Sequence, residues 1–294
     1  MRLITYQDKD TPALGVMHEE RIVNLSAAYL QVSNKPFPKT MTQLLEEGQE
    51  GLEKVQQVLE YAATREVETQ AINDVRLLPP VLKPTKVIAL GRNYAAHAKE
   101  GGAEPPAYPM LFHKTATSLL GAGGNIVIPP ISDKIDYEAE LAVVIGQTCK
   151  NVSEEDALDF VAGYTVANDV TARDWQRRTS QFTSGKMLDT FGPLGPALVT
   201  KDEVSDVGNL QIQSRLNGAT MQKGNTKDMI FSVPFLISYI SQISTLEVGD
   251  VILTGTPEGV GYARKPPVFM KAGDVIEIEV EGLGILRNNL IATS

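Results

Sequence analysis

The sequence predicts a sheet-dominated protein in which a strand-rich part follows a smaller N-terminal module. Short apolar runs separated by turn residues extend through most of the chain, and only two segments after residue 78 have helical character. Long helices do not alternate regularly with the strands, which disfavours a doubly wound nucleotide-binding sheet. The 294 residues can bury a large core in one or two domains.

Residues 1–78 are predicted to form an accessory module. It begins with three short strands, "RLITYQ", "ALGVMH" and "RIVNL". A helix then follows, in which apolar side chains recur at helical spacing: Leu44, Leu45, Leu52, Val55, Val58 and Leu59. Three prolines in "LLPPVLKPTK" favour an extended connector, so we place the boundary there, with a second unit over residues 79–294.

The second unit is predicted to be built from strands covered by two helices. The strands are "KVIAL", "NIVIPP", "ELAVVIG", "GYTVANDVT", "GPALVT", "LQIQSRLNG", "DVILTG" and "DVIEIEVEG". One helix is predicted around "SEEDALDFVAG" with Ser153 as N-cap, and one around "SVPFLISYISQI" with Ser232 as N-cap and Pro234 early. The glycine-rich "GAGGN" and "GTPEGVG" lack the ending of a phosphate-binding loop and are predicted to be turns.

Composition restricts the partners and the location. The net charge of -9, from 36 acidic and 27 basic residues, argues against a nucleic-acid partner. No apolar run is long enough to span a bilayer and the opening residues lack a signal-peptide core, so we expect no membrane association and a cytoplasmic location. The single cysteine, Cys149, excludes an internal disulfide and is expected to be a small packing residue.

Three acidic residues are candidates for a metal site. Glu138 and Glu140 stand two apart in a strand-like run, so both point to one face, where they need a shared proton, a cationic side chain or a metal. Asp169, after another strand-like run, would complete a magnesium-type set of oxygen ligands. The alternatives are an edge strand with solvated acids and an aspartate that only turns the chain.

Candidate catalytic groups lie in "ALGRNYAAHAKEGG". His97 and Glu100 are three apart, so they share a face if the segment is helical, and a carboxylate beside an imidazole raises its basicity. Gly101 and Gly102 would end that helix and permit a hinged lid. The alternative is an ordinary loop after a surface helix.

Two cations are also candidates for contact with a substrate. Lys186, in a turn-rich segment, would neutralise an oxyanion or a substrate carboxylate, and Arg173 would grip a carboxylate with two hydrogen bonds. Either residue is equally compatible with a solvated surface cation.

Five motifs in this order resemble the fumarylacetoacetate hydrolase family, and they cover roughly residues 80–294: "GRNYAAHAKE", "DYEAELAVVIG", "NDVTARDWQ", "GKMLDTFGPLGP" and "GDVILTGTPEGVG". The resemblance implies an α+β fold around a mixed, rolled β-sheet and a divalent metal, Mg²⁺ or Mn²⁺. It assigns Glu138, Glu140 and Asp169 as metal ligands, and His97 with Glu100 as a water-activating pair on a lid.

The same matching implies substrate contacts and an assembly state. Lys186 and Gln176 match positions that contact substrate, Arg173 and Thr256 are further site positions, and members of the family are commonly homodimers. An aspartate that some members place before the histidine motif is absent here, where Leu90 precedes the motif. The sequence is therefore more similar to the acylpyruvase and oxaloacetate decarboxylase branch.

The expected activity is hydrolysis or decarboxylation of a small-molecule 2-oxo acid through a metal-stabilised enolate. Acylpyruvate hydrolysis would use His97 and Glu100 to activate water, whereas loss of carbon dioxide from oxaloacetate needs no water. One alternative is an isomerase or decarboxylase of a 2-hydroxymuconate-type diacid, which needs the same enol. Another is a catalytically silent metal-binding or ligand-binding protein on the same fold.

Overall fold

The computed structural model describes residues 1–18 and 21–293. Its strands are β1 Arg2–Asp8, β2 Thr11–His18, β3 Arg21–Asn24, β4 Thr69–Ala71, β5 Arg76–Leu77, β6 Val87–Gly91, β7 Met110–Lys114, β8 Leu119–Leu120, β9 Asn125–Ile128, β10 Ile135–Asp136, β11 Ala139–Ile145, β12 Val161–Asn168, β13 Thr171–Ala172, β14 Gly192–Thr200, β15 Gln211–Leu216, β16 Ala219–Asn225, β17 Val251–Leu253, β18 Val275–Val280 and β19 Gly284–Ala292. Its α-helices are α1 Leu25–Ser33, α2 Met41–Glu46, α3 Gln49–Thr64, α4 Ala95–Glu100, α5 Arg173–Gln176 and α6 Val233–Ile243. Within the described ranges, no helix combines the length and apolar character needed to cross a membrane.

The strands form two principal sheets. The larger has the order β4-β3-β2-β1-β14-β12-β11-β17-β6-β7, with β5 on β1 and β8 on β14, and the smaller has the order β16-β15-β18-β19-β9. Most neighbours are antiparallel, but β17 pairs parallel with β6, and β19 with β9. Strands β11, β12 and β14 contact the smaller sheet, so the two sheets pack face to face. The predicted α+β class with a mixed sheet is confirmed.

Strand β11 is apolar except for Glu140, because both of its faces are buried. Alternate side chains point to opposite faces of a sheet. Leu141 and Val143 pack in the core between the two sheets, while Ala142 and Val144 pack on the other face with the N-terminal helices. Both faces are therefore shielded from solvent, and the strand holds Glu140 in a fully buried position.

The N-terminal module continues the larger sheet. Strand β1 pairs antiparallel with β14, where Arg2 opposes Val199 and Leu3 opposes Leu198. Its buried residues Leu44 and Val55 belong to the same hydrophobic cluster as strand β11. The boundary at 78/79 stays a prediction, and one sheet runs through both units.

The helix predictions had mixed outcomes. Helix α6 is confirmed, with the Ser232 hydroxyl accepting a hydrogen bond from the Phe235 N–H at 3.3 Å. The helix predicted around "SEEDALDFVAG" is wrong, because residues from Val161 onward form β12 between β11 and β14. Only a short 3₁₀ turn over Ala157–Phe160 remains, and Ser153 caps the turn before it, accepting from the Asp156 N–H.

Two further helical features differ from expectation. The predicted helix containing Leu44 and Val58 is two helices, α2 and α3, separated at Gly48, whose φ of 58° favours glycine. Helix α1 was not predicted, and it begins where Asn24 accepts a hydrogen bond from the Ala27 N–H. Cys149 is buried in the core between the sheets, as expected for a packing residue.

Candidate metal centre and active site

Adjacent strands bring the three predicted metal ligands together. Glu138 precedes β11 by one residue, Glu140 lies within β11, and Asp169 follows the neighbouring strand β12. The Asp169 N–H donates to the Glu138 carbonyl at 3.0 Å, which continues the antiparallel register beyond both strand ends. One oxygen of each carboxylate lies within 4.8 Å of the others, and all three side chains are buried.

Three buried cations surround two of these carboxylates. The Lys186 Nζ donates to Glu138 Oε2 at 2.7 Å and to Asp169 Oδ2 at 2.6 Å. Lys114 donates to Asp169 Oδ1 at 2.7 Å, and Arg173 Nη1 lies 2.7 Å from Glu138 Oε1. These contacts keep the charge of the cluster nearly balanced in a poorly solvated interior.

Glu140 is held differently. Its Oε2 accepts a hydrogen bond from the Gly255 N–H at 2.8 Å, but its buried Oε1 has no partner within residues 1–18 and 21–293. Burial, followed by the charges of Asp169 and Glu138, raises the pKa of Glu140 well above its ordinary value. Burial also opposes ionisation of Glu138, but the nearby Lys186 and Arg173 outweigh it and lower that pKa to about 2.

The chemistry of this donor set fits a divalent cation. Three carboxylates offer oxygen, the ligand that hard divalent ions such as Mg²⁺ select. The unpartnered Oε1 of Glu140 is the atom that most needs a cation, because a buried acceptor without a partner is costly. The structure therefore supports a divalent metal at Glu138, Glu140 and Asp169.

The His97–Glu100 pair forms on helix α4 as predicted. The Nδ1 atom of His97 lies 2.8 Å from Glu100 Oε1, and Glu100 Oε2 accepts from the Gly259 N–H at 2.8 Å. An ionised carboxylate only accepts hydrogen bonds, so Nδ1 carries the proton and Nε2 presents a lone pair. The Gly259 contact fixes the pair to the loop after β17.

A cavity of about 220 Å³ joins the histidine to the carboxylates. Six of the nine predicted site residues line it: His97, Glu138, Arg173, Gln176, Lys186 and Thr256. Of the other three, Glu100 and Asp169 are hydrogen-bonded to this lining from behind, and a carboxylate oxygen of Glu140 lies within 4.8 Å of one of Glu138. The amide oxygen of Gln176 accepts from Arg173 Nη1 at 3.1 Å, and Thr256 accepts from Gln222.

Sequence reasoning missed two residues that shape the site. Asp136 accepts hydrogen bonds from Arg173 Nε at 2.8 Å and from the Gly261 and Tyr262 N–H groups, which anchors the loop over the cavity. Its spacing of two from Glu138 was a usable signal. Lys114, at the end of the apolar strand β7, is fully buried against Asp169, and nothing in its local sequence separates it from a solvated lysine.

Residues 86–291 match the family model described as the fumarylacetoacetate (FAA) hydrolase C-terminal domain. The chain belongs to the fumarylacetoacetate hydrolase family. The resemblance read from the five motifs is thereby confirmed, and so is the prediction of an enzyme.

Relatives in the fumarylacetoacetate hydrolase family cover nearly the whole chain. A mitochondrial oxaloacetate tautomerase of Homo sapiens is 46% identical over 272 residues, covering 92% of this chain and 84% of the relative. The solved structure of a maleylpyruvate hydrolase from Sphingobium sp. SYK-6 with manganese(II) ion and pyruvate is 31% identical, covers both chains fully and has a TM-score of 0.80. A fumarylacetoacetate hydrolase from Exiguobacterium antarcticum is 34% identical over the full length of both chains, with a TM-score of 0.83.

The prediction of a cytoplasmic location is wrong, because relatives of this similarity are named as mitochondrial proteins. An apolar core is the signature of secretory signal peptides and does not bear on mitochondrial targeting. Mitochondrial targeting segments are instead amphipathic and rich in arginine and serine.

Proposed function

We propose that this enzyme interconverts the enol and keto forms of oxaloacetate, with a divalent metal at Glu138, Glu140 and Asp169. The observation that carries the proposal is a positioned histidine base that lines the same small cavity as Glu138, one of the three clustered carboxylates. A relative 46% identical to the chain is named an oxaloacetate tautomerase, which supports the same substrate.

The bound ion would be Mg²⁺ or Mn²⁺, since both accept carboxylate oxygen ligands. Its chemical contribution is to stabilise the negative charge that develops on the keto oxygen when a proton leaves the neighbouring carbon. We further propose that the enzyme acts as a homodimer, as members of the family commonly do.

His97 is the group proposed to move the proton. In the enol-to-keto direction its Nε2 accepts the proton of the enol hydroxyl and returns a proton to the adjacent carbon, so the histidine ends unchanged. Glu100 keeps Nδ1 protonated and stabilises the positive ring between the two transfers.

The remaining predicted residues would hold and orient the substrate. Lys186 faces the cavity between Glu138 and Asp169, where its charge favours an anionic oxygen. Arg173 is already bound to Asp136 and Glu138, so we propose that it orients Glu138 in addition to lining the cavity. Gln176 and Thr256 supply neutral polar contacts on the same lining.

Hydrolysis of acylpyruvates is a second candidate, because the His97–Glu100 pair is equally suited to activate water. Decarboxylation of oxaloacetate would leave the enolate of pyruvate, as acylpyruvate hydrolysis would, without using that pair. The muconate-type isomerase is a weaker alternative, supported by the 34% identity of the chain to a 5-carboxymethyl-2-hydroxymuconate delta-isomerase from Mycobacterium smegmatis. The silent binding protein has no specific observation in its favour.

The proposal is tested by following loss of the enol form of oxaloacetate, together with pyruvate release, in the presence of Mg²⁺ or a chelator. Acetylpyruvate serves as the hydrolysis substrate in a parallel assay. Enol loss that requires metal and releases no pyruvate is the expected result. Faster cleavage of acetylpyruvate, or pyruvate release matching enol loss, would instead favour the hydrolase or the decarboxylase.

A further inference from the structure

We propose that Arg92 and Arg177 form a second anion subsite, which binds the distal carboxylate of a four-carbon 2-oxo dicarboxylate. The inference rests on the proposed function in one respect, namely that the 2-oxo acid end of the substrate lies at the carboxylate cluster. In this proposal the two arginines make the enzyme bind a dicarboxylate in preference to a 2-oxo acid whose far end is uncharged.

The cavity lining carries more positive than negative side chains. Glu138 is the one carboxylate in the lining, and it is already bound to Arg173 and Lys186. Arg92 and Arg177 also line the cavity, and in the described part of the chain neither side chain forms an ion pair or a hydrogen bond. Their donors are therefore available to an anion that enters from solvent.

Aromatic rings hold both guanidinium groups in place. Arg177 stacks over Tyr262 with its Cζ 4.5 Å from the ring centroid, and Arg92 lies 5.9 Å from the centroid of Phe182. Contact with a ring face leaves the in-plane N–H groups of a guanidinium free, and that fork matches the geometry of a carboxylate. Both rings belong to the cavity lining.

The backbone at Arg92 is strained. Its φ of 59° lies in the left-handed region, which a long side chain rarely adopts. Asn93 holds that conformation by donating to the Phe231 and Thr254 carbonyls at 3.0 and 2.8 Å, and by accepting from the Phe231 N–H. Strain maintained by such surroundings is typical of ligand-binding positions.

The size of the cavity limits the ligand. Its volume of about 220 Å³ is below the range of roughly 300 to 1,000 Å³ that is usual for drug-sized ligands. A compact acid therefore fits, and its second charged end must lie close to the first. Arg177 is exposed whereas Lys186 is buried, so the two ends of the substrate would meet cations at the mouth and at the base.

The test compares oxaloacetate with 2-oxosuccinamate, which has the same size but carries an amide in place of the distal carboxylate. Binding of each compound to the magnesium-loaded protein is measured by calorimetry for the wild type, Arg92→Gln and Arg177→Gln. Arg178→Gln is the matched control, because Arg178 stacks on Trp175 and lies outside the cavity lining.

Each Gln variant is expected to weaken oxaloacetate binding by about tenfold while changing 2-oxosuccinamate binding by less than about threefold. Arg177→Lys should recover part of the loss, since it keeps the charge but not the fork. Because Arg177 is exposed, its variants report on the subsite even if Arg92→Gln does not fold.

Equal losses for both compounds, or no loss for either, would overturn the subsite. The assay measures binding alone, so its result is separate from that of the proposed activity. A protein that prefers oxaloacetate over 2-oxosuccinamate but does not convert its enol would contradict the tautomerase while retaining the subsite.

Discussion

Glu138 and Glu140 lie two positions apart on one strand face, yet their pKa values shift in opposite directions. Burial opposes ionisation of both, but Lys186 and Arg173 outweigh it only at Glu138, whose pKa falls to about 2. At Glu140 burial is reinforced by Asp169 and Glu138, and the pKa rises. A divalent ion bound beside Glu140 would favour its ionised form and so oppose that rise.

The two carboxylates should respond differently to neutralisation in the metal-free protein. Glu138→Gln is expected to lower the free energy of unfolding by about 3 kcal/mol, because it leaves Arg173 and Lys186 buried without their shared carboxylate. Glu140→Gln is expected to leave it unchanged or to raise it, since the amide removes a disfavoured charge. Urea denaturation with chelator measures both, and equal losses would contradict the assignment.

The metal-free protein should also lose stability as pH rises above the ordinary carboxyl range. Between the ordinary pKa of 4.5 and the raised pKa of Glu140, the folded state keeps a proton that the unfolded state has released, so rising pH favours unfolding. Glu138 acts in the opposite sense, and its contribution is lost as pH falls from 4.5 toward about 2. Melting temperatures measured across this pH range, with chelator and with Mg²⁺, show whether the metal abolishes the loss of stability at rising pH.

Glu140→Gln is the control for that loss of stability at rising pH. The variant should lack it, and a loss that persists there must come from another group.

At these positions the sequence was informative to different degrees. The alternation of a strand was enough to place Glu138 and Glu140 on one face, and Asp169 followed from the end of the next strand. Lys114 was not predictable, because its burial depends on β7 lying next to β6 at the sheet edge. The left-handed backbone of Arg92 depends likewise on the partners of Asn93.

Helix α4 carries His97 and Glu100, and its C-terminal end contacts the loop after β17. A Cβ atom added at Gly101 would lie 2.4 Å from the Tyr262 hydroxyl, which is too close for both groups to remain in place. Gly101→Ala is therefore expected to displace the helix and to reduce kcat/KM by about tenfold or more, while the protein stays folded. Initial rates and a melting curve measure the two effects.

Adding Tyr262→Phe to the Gly101→Ala variant tests whether the clash with the Tyr262 hydroxyl causes the loss of activity. It removes the hydroxyl, so the double variant should recover activity relative to Gly101→Ala alone. Gly102→Ala is the matched control, because no atom lies within 4 Å of its added Cβ and only the φ of 75° opposes the change. Failure of Tyr262→Phe to restore activity would place the defect elsewhere.

Helices and strands were predictable where the local sequence pattern agreed with the tertiary contacts of the segment. Helix α6 combines an N-cap serine, an early proline and apolar spacing, and all three signals agree. The segment from Ser153 is predicted as a helix because a serine N-cap is followed by acids in the first turn. The residues from Val161 onward form β12, which pairs with β11 on one side and β14 on the other. This pairing overrides the local preference for a helix.

The N-terminal module belongs to the same packed structure as the site. Strand β1 covers one edge of β14, and the cluster containing Leu44 and Val55 covers one face of β11. A chain restricted to residues 79–294 is therefore expected to expose both surfaces and to lose cooperative unfolding. Circular dichroism during thermal denaturation tests this, and a sharp transition near that of the full chain would show that the boundary separates independent domains.

The family and its general chemistry were predictable from five ordered motifs, whereas the arrangement of the whole chain was not. The pairing of Arg2 with Val199 joins segments far apart in sequence, and no local pattern specifies such a partner. The compartment was mispredicted for a related reason, since it is not encoded in the folded enzyme's composition.

The most direct measurement is the initial rate of enol-oxaloacetate conversion by the magnesium-loaded wild type, His97→Asn and His113→Asn. His113 lies on β7 with an exposed side chain, so its variant controls for loss of a histidine as such. Loss of His97 is expected to lower the metal-dependent rate by about a hundredfold or more, while His113→Asn keeps the wild-type rate. A His97→Asn variant that converts the enol as fast as the wild type would contradict the role of the His97–Glu100 pair in proton transfer.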